Sequence, residues 1–517
     1  MLAINIPADA LFLAIQHKAK GDFSEKNCER IIVDYIDRFL EADPDMILLN
    51  TCYRRSLTPS EVFDSYLYDI RTDERGFAVR DAHGKSLKTQ SPITERASKY
   101  FLSFITCARP LLKSGIDIYK MAIKRIRQTK CRVLLSIRMN DIHYTNDPAI
   151  NSSLALKNGA ENTLERDGKF LDFSKEAVQN YYYTYIEELL NAYQVDGIEL
   201  DWLRYPRVLP SAKCADLTII SDYMKRVRRL VHSHNPNACL AVRMLPTEEE
   251  NLKEGFDACG WIADGTVDML TIENFYIPTN FELPVSQWRQ SIEKRNAEHR
   301  HYFLFCGSDW AVSCVERYNI AMTPALVRGF TDACLEDGAD GIYLFNFFEE
   351  DDTSSFAFVR DESGEGRLEN CFAQRIKAAR HPQQLPRRYV HIGNTSSRYP
   401  ISVCQDGSYA FIKTLKRPFD KCRLVIGYDK NEPFSVYVNG GLAVALQKED
   451  ACRGFAYIPE AEIDRDNHFI YAVTQAAPFV SSVCLTSESV EKESLHIRIQ
   501  NDSRYELKIL WLEVVLE

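Results

Sequence analysis

At 517 residues, 45% hydrophobic and 26% charged, the chain has the composition of a soluble globular protein with room for two or three domains. A formal charge of −10 leaves no basic stripe of the kind a phosphate backbone requires, which excludes nucleic acid as an expected partner and favours a neutral or weakly charged ligand. No stretch approaches the roughly eighteen apolar residues that span a bilayer, so no membrane partner is expected either.

From residue 10 to about 380, short apolar runs alternate with amphipathic ones. The predicted strands are LFLAIQH (11–17), MILLNTC (46–52), RVLLSIRM (132–139), GIELDWL (197–203), LAVRML (240–245), VDMLTIE (267–273), YFLFCGS (302–308) and GIYLFNF (341–347). Between them, segments such as 174–193 place Val178, Tyr182, Ile186, Leu189, Leu190 and Tyr193 at helical spacing behind Ser174 as N-cap. Near-continuous apolar strands alternating with helices predict a parallel sheet covered on its outer face, and eight such units predict a closed (β/α)8 TIM barrel over residues 1–380. Connections into strands are short, whereas 55–95 and 140–173, which follow strands, are long. Loops of that length usually serve a site, and they would crown the face where barrel strands end.

Beyond 380 the helical period stops. HPQQLPRR (381–388) reads as a linker, and the alternating runs YAFIKTL, RLVIGY, FSVYVNGG, HFIYAV, LHIRIQ and KILWLEVVL predict an antiparallel β-sandwich over 381–517, an accessory or carbohydrate-binding-like domain. The fifteen cysteines are odd in number and lack paired metal-ligand spacing; they read as reduced thiols of the interior. ALFLAI (10–15) is too short, and too poorly flanked, for a signal peptide. The expected compartment is therefore the cytoplasm.

The fourth strand carries the question of function. Side chains alternate along a strand, so Glu199 and Asp201 share one face of GIELD while Ile198, Leu200 and Trp202 share the other. The apolar face must meet the helices, which sends both carboxylates into the barrel, with Asp201 at the rim and Glu199 one layer deeper. Burying an acid is costly unless it is paired, by arginines such as Arg138 or Arg243, or used in chemistry. Glycoside hydrolysis uses two carboxyl groups, one as proton donor and one as nucleophile or base. Asp201 supplies one and Glu273, at the end of the sixth strand, the other, with Glu199 as a neighbour raising the proton affinity of Asp201. Glu248 to Glu250 read as solvated loop charges.

The stretch FLDFSKEAVQNYYYTYIEELLNAYQVDGIELDWLRYP (170–206) resembles the glycosyl-hydrolase-like family 10 group and, more distantly, the family 18 chitinase strand DGxDxDWEYP. VDMLTIENFY and GADGIYLFNFF are similar to the sixth and eighth strands of such enzymes. The resemblance implies a TIM-barrel glycosidase, with Asp196, Glu199 and Asp201 on the three aspartate positions of the chitinase pattern. The chitinase proton donor has no counterpart, because Leu203 occupies its place.

The expected ligand is an oligosaccharide substrate; no cofactor or metal is called for. Polar residues expected to bind it at strand ends are His17, Asn50, Arg138, Asn140, Asp141, His143, Arg204, Arg243, Asn274, Asp309 and Asn346, with Trp310, Tyr276, Phe347 and Phe348 as stacking surfaces. Three readings follow: a glycoside hydrolase, a catalytically silent carbohydrate-binding barrel, or a transglycosidase or sugar lyase on the same rim.

Overall fold

The computed structural model describes residues 1–67, 71–72, 78–80, 105–143, 145, 150–157, 159–165, 168–275, 280–309, 311–315, 318–347, 356–360, 366–380, 386–391, 400–415, 419–442, 446–449, 477–485 and 494–516. Eight parallel strands form a closed barrel: β1 (Leu2–Ile6), β2 (Met46–Asn50), β3 (Arg132–Arg138), β4 (Gly197–Asp201), β5 (Cys239–Met244), β6 (Met269–Ile272), β7 (Phe303–Ser308) and β8 (Gly341–Leu344). Each lies beside its neighbours in sequence, β8 closing on β1. This is the expected TIM barrel, except at its first strand. LFLAIQH belongs to a helix, α1 (Ala10–Lys18), and the strand is the preceding LAINI. Six apolar residues in succession carry neither a twofold nor a 3.6-fold period, so that run alone does not separate the two conformations.

The strands are seated by a recurring aspartate. The carboxylate just before β2 (Asp45) accepts the Leu2 N–H at 2.7 Å, that before β4 (Asp196) accepts Val133 N–H at 2.8 Å, and that before β6 (Asp268) accepts Leu240 N–H at 2.8 Å. Each ties the start of one strand to the start of another and satisfies a donor that the ladder leaves open. Gly197 opens β4 because a Cβ there would stand 2.3 Å from the Cys239 carbonyl oxygen.

Register puts the acids where alternation predicts. Ser136 pairs with Glu199 and Glu199 with Ala241, while one layer nearer the strand ends Arg138 pairs with Asp201, Asp201 with Arg243 and Arg243 with Thr271. The helix after the third strand, α2 (Glu176–Ala192), buries Val178, Tyr182, Ile186 and Leu189 as its spacing predicts, and Tyr193 just beyond its end; Tyr185 is buried too, whereas Leu190 is only half-buried. Its N-cap is Lys175 rather than Ser174, whose N–H is held by the Asp172 carboxylate at 2.9 Å.

The chain divides into two compact units, one of residues 1–275, 286–305 and 345–347 and the other of 276–285, 306–344 and 348–517. In the second lie the antiparallel sheets of the expected β-sandwich. One has the order Arg387–Val390, Leu507–Leu516, Cys422–Tyr428, Phe479–Leu485, Gln447–Glu449, with Ile401–Val403 also on Leu507–Leu516; the other runs Ser408–Thr414, Ser494–Asn501, Phe434–Val438, Gly441–Leu442. Ser494–Asn501 buries alternate residues, the signature of a sheet covered on one face. The expected linker ends earlier than 388, since Arg387 and Arg388 already belong to a strand. HFIYAV lies outside the described residues. Most described cysteines are buried free thiols, but Cys404 and Cys484 are exposed. Among the described residues no helix is long and apolar enough to cross a membrane.

Candidate active site at the ends of the barrel strands

The ends of β3, β4 and β5 assemble a buried layer of alternating charge. Arg243 projects from β5 between two acids, donating from Nη1 to Asp201 Oδ1 and from Nε to Glu273 Oε2, each at 2.8 Å. The Arg204 backbone N–H also reaches Asp201 Oδ1 at 3.1 Å as the chain turns out of β4. The other oxygen of Asp201, Oδ2, is buried with no hydrogen-bond partner among the described residues. Asp201 is 0% and Glu273 2% exposed, so the two acids expected at strand ends, Asp201 at the rim, are buried there rather than open to solvent. Arg243 is one of the two arginines that the sequence offered as partners for a buried acid; that one guanidinium would take both Asp201 and Glu273 was not legible there.

Glu199 sits one layer deeper, as expected, and accepts the Ser136 hydroxyl at 2.7 Å. Ser136 escaped sequence reasoning, although its position two residues before Arg138 puts it on the same inner face.

A second cluster surrounds Asp141. Its Oδ2 accepts Arg138 Nη1 at 3.0 Å, and its Oδ1 accepts the His143 backbone N–H at 2.8 Å and lies 2.7 Å from His143 Nδ1. Arg204 Nη2 stands 2.8 Å from His143 Nε2. A guanidinium can only donate, so Nε2 accepts and the imidazole proton lies on Nδ1, directed at Asp141. Burial pulls the imidazole below its ordinary value; Asp141 opposes this and Arg204 reinforces it. Burial also works most strongly against ionising Asp141, yet His143, Arg138 and Arg204 together hold its carboxyl far below the usual carboxylate range.

Phe345, another residue not anticipated, lies at the centre of the arginines. Its ring centroid is 3.4 Å from the Arg243 guanidinium carbon, 5.7 Å from that of Arg138 and 5.9 Å from that of Arg204. The half-buried Asn346, in the left-handed region at φ 49°, accepts Arg138 Nη2 at 2.7 Å. Arg138, Arg204 and Arg243 thus have their charges matched by Asp141, Asp201 and Glu273.

Other predicted binders have local duties. Asn140 is spent as a clamp between the two long loops: its Oδ1 accepts Arg54 Nη1 at 3.2 Å and Leu171 N–H at 3.1 Å, and its amide donates to the Arg207 carbonyl at 2.8 Å. Asn50 is buried, its Oδ1 taken by the Cys52 N–H at 3.2 Å. Asn274, directly after Glu273, is buried with no partner for Oδ1 among the described residues. His17 is exposed in the last turn of α1 rather than at a strand end, a consequence of the misread first strand. Glu248, Glu249 and Glu250 are not loop charges but the first turn of a helix, Glu248–Lys253, with Thr247 as N-cap accepting Glu250 N–H at 3.2 Å. Asp309 and Phe347 are buried. Trp310, Tyr276 and Phe348 lie outside the described residues.

No family model and no curated protein matches the sequence. Solved structures similar to the chain include a cycloisomaltooligosaccharide glucanotransferase from Paenibacillus sp. (8% identity, 99% of this chain and 57% of that one, TM-score 0.33). Others are α-L-fucosidase isoenzyme 2 from Paenibacillus thiaminolyticus (11%, 74% and 49%, TM-score 0.40) and the PgaB glycoside hydrolase domain from Bordetella bronchiseptica (9%, 66% and 93%, TM-score 0.35). The chain spans about half the length of the first two. Likeness this loose assigns no role to any residue of this chain.

Proposed function

We propose that the chain is a glycoside hydrolase acting on oligosaccharides, with residues 1–380 as its catalytic barrel, 381–517 as an accessory sandwich, and Asp201 as the carboxylate that faces the reacting carbon. One observation carries the reading: Asp201 has one oxygen fixed by two donors and the other buried without a partner among the described residues. A carboxylate held by a guanidinium is suited to act as nucleophile or as stabiliser of positive charge, not as proton donor. Glu273 is the second carboxylate. It shares Arg243, and it acts as the acid or base once substrate draws it from that arginine. Because Arg138, Arg204 and Arg243 are already matched by acids, the reading favours an uncharged sugar over an acidic one.

A second reading, a carbohydrate-binding barrel without catalysis, draws on the same arginine: two acids sealed on one guanidinium form a stable ion cluster that releases no proton. An oligosaccharide panel assayed with wild type, Asp201→Asn and Glu273→Gln separates the two. Hydrolysis by wild type and its loss in both variants is the expected result. Unchanged turnover in both would remove the pair, and binding without product would select the second reading.

A further inference from the structure

Beside the charged layer, on the same compact unit, lies a cleft of about 350 Å³ that none of the predicted binding residues lines. Its lining includes three aromatic residues, Phe170, Tyr205 and Phe275, each half-buried, with the Arg207 guanidinium carbon 5.3 Å from the Phe170 ring centroid. Four charged residues border it, Arg207 and Lys253 against Glu250 and Glu254, and they leave it with no net charge. The volume falls within the range of small-molecule sites, and aromatic faces edged by hydrogen-bonding groups suit the two-sided chemistry of a sugar ring, apolar on its C–H face and polar around its edge.

The cleft is joined to the charged layer through Tyr205. Its hydroxyl is 3.3 Å from His143 Nε2, and its ring meets His143 edge-on at 5.3 Å and Phe275 at 5.5 Å. Its backbone is held at φ 66°, a conformation costly for a bulky side chain and kept only where the surroundings enforce it. The preceding residue, Arg204, gives its N–H to Asp201, so one strained turn separates the cleft from the proposed reacting carboxylate. On the other side, Phe275 directly follows Asn274 and its open Oδ1.

We infer that this cleft is a binding subsite for an uncharged pyranose unit of the substrate, stacked on Phe275 and Phe170 and reported to Asp201 through Tyr205. The inference rests on the hydrolase reading only for the identity of the neighbouring site; sugar binding itself needs no turnover.

The test is isothermal titration of Asp201→Asn with neutral gluco-, galacto- and manno-oligosaccharides of increasing length and with their uronate counterparts, alongside wild-type kinetics. Phe275→Ala and Phe170→Ala are expected to weaken binding of the preferred neutral sugar by about three- to tenfold and to raise KM with kcat little changed; Phe275→Tyr should restore it. Arg207→Gln, at an exposed position whose guanidinium pairs with Glu165 at 2.7 Å and lies over the Phe170 ring, should weaken binding as well. Binding that survives all three losses, a preference for uronates, or no binding to any sugar would overturn the inference. Hydrolysis with unaltered KM in the cleft variants would sink the subsite and leave the hydrolase. Binding that depends on the cleft without any product would do the reverse.

Discussion

Two fully buried carboxylates in this molecule show what distinguishes a structural acid from an available one. Glu513, in a central strand of the six-stranded sheet, is 0% exposed and both its oxygens are taken: Oε1 by Arg388 Nε, Oε2 by Arg388 Nη2 and by Trp511 Nε1, each of the latter at 2.9 Å. Asp201, equally buried, has the same fixation on Oδ1 and nothing on Oδ2 among the described residues. A desolvated carboxylate oxygen without a donor costs free energy. Glu513 avoids that cost by a forked ion pair, whereas Asp201 keeps an open acceptor at the end of a barrel strand, where chemistry in this fold is found.

The comparison breaks most visibly in activity. Asp201→Asn is expected to lower kcat by about a hundredfold or more in a reducing-end assay, and Glu513→Gln to leave it unchanged. Equal effects would erase the distinction. Stability should reverse the order: Arg388→Met strands a buried charge and should cost about 3–5 kcal/mol in urea unfolding, while Asp201→Asn, which leaves Arg243 its Glu273 partner, should cost clearly less. Arg243→Met, which strands two acids, should be at least as damaging as Arg388→Met.

The smallest effect sharpens the contrast at Asp141, a rim acid as fully bonded as Glu513. The His143 imidazole has its pKa lowered from 6.5 on folding. The unfolded chain therefore binds a proton first as pH falls below 6.5, and folding stability drops from there down to the folded pKa, where the loss is complete. Asp141, lowered from 3.8, contributes stability that is present above 3.8 and lost only under strongly acidic conditions. Melting temperature should thus decline from neutral pH toward mild acid, and His143→Gln should flatten that decline. An identical slope in the variant would mean that His143 does not bond as described.

Much of the barrel was legible because apolar strands buried on both faces read as unbroken runs; β2 to β8 were recognisable on that ground. β1 was not, since LAINI and ALFLAI are both apolar and adjacent, and only packing decides which becomes the strand. At the site, alternation told which way Asp201 and Glu199 point. It could not tell that Asp201 is fully buried, because its surroundings include Arg243 from the neighbouring strand and, over that arginine, Phe345 from β8's exit, contacts between residues more than forty positions apart. Tyr205 stood in the quoted motif, yet its left-handed backbone and its place beside Phe275 are properties of the folded turn.

The most direct measurement is a crystal structure of Asp201→Asn with the preferred oligosaccharide of the binding panel. The account predicts a sugar whose anomeric carbon lies against the side chain at position 201, with Glu273 drawn off Arg243 and a neighbouring ring over Phe275. A saccharide bound elsewhere, with Arg243 still bridging Glu273 under an unbroken cover, would contradict it.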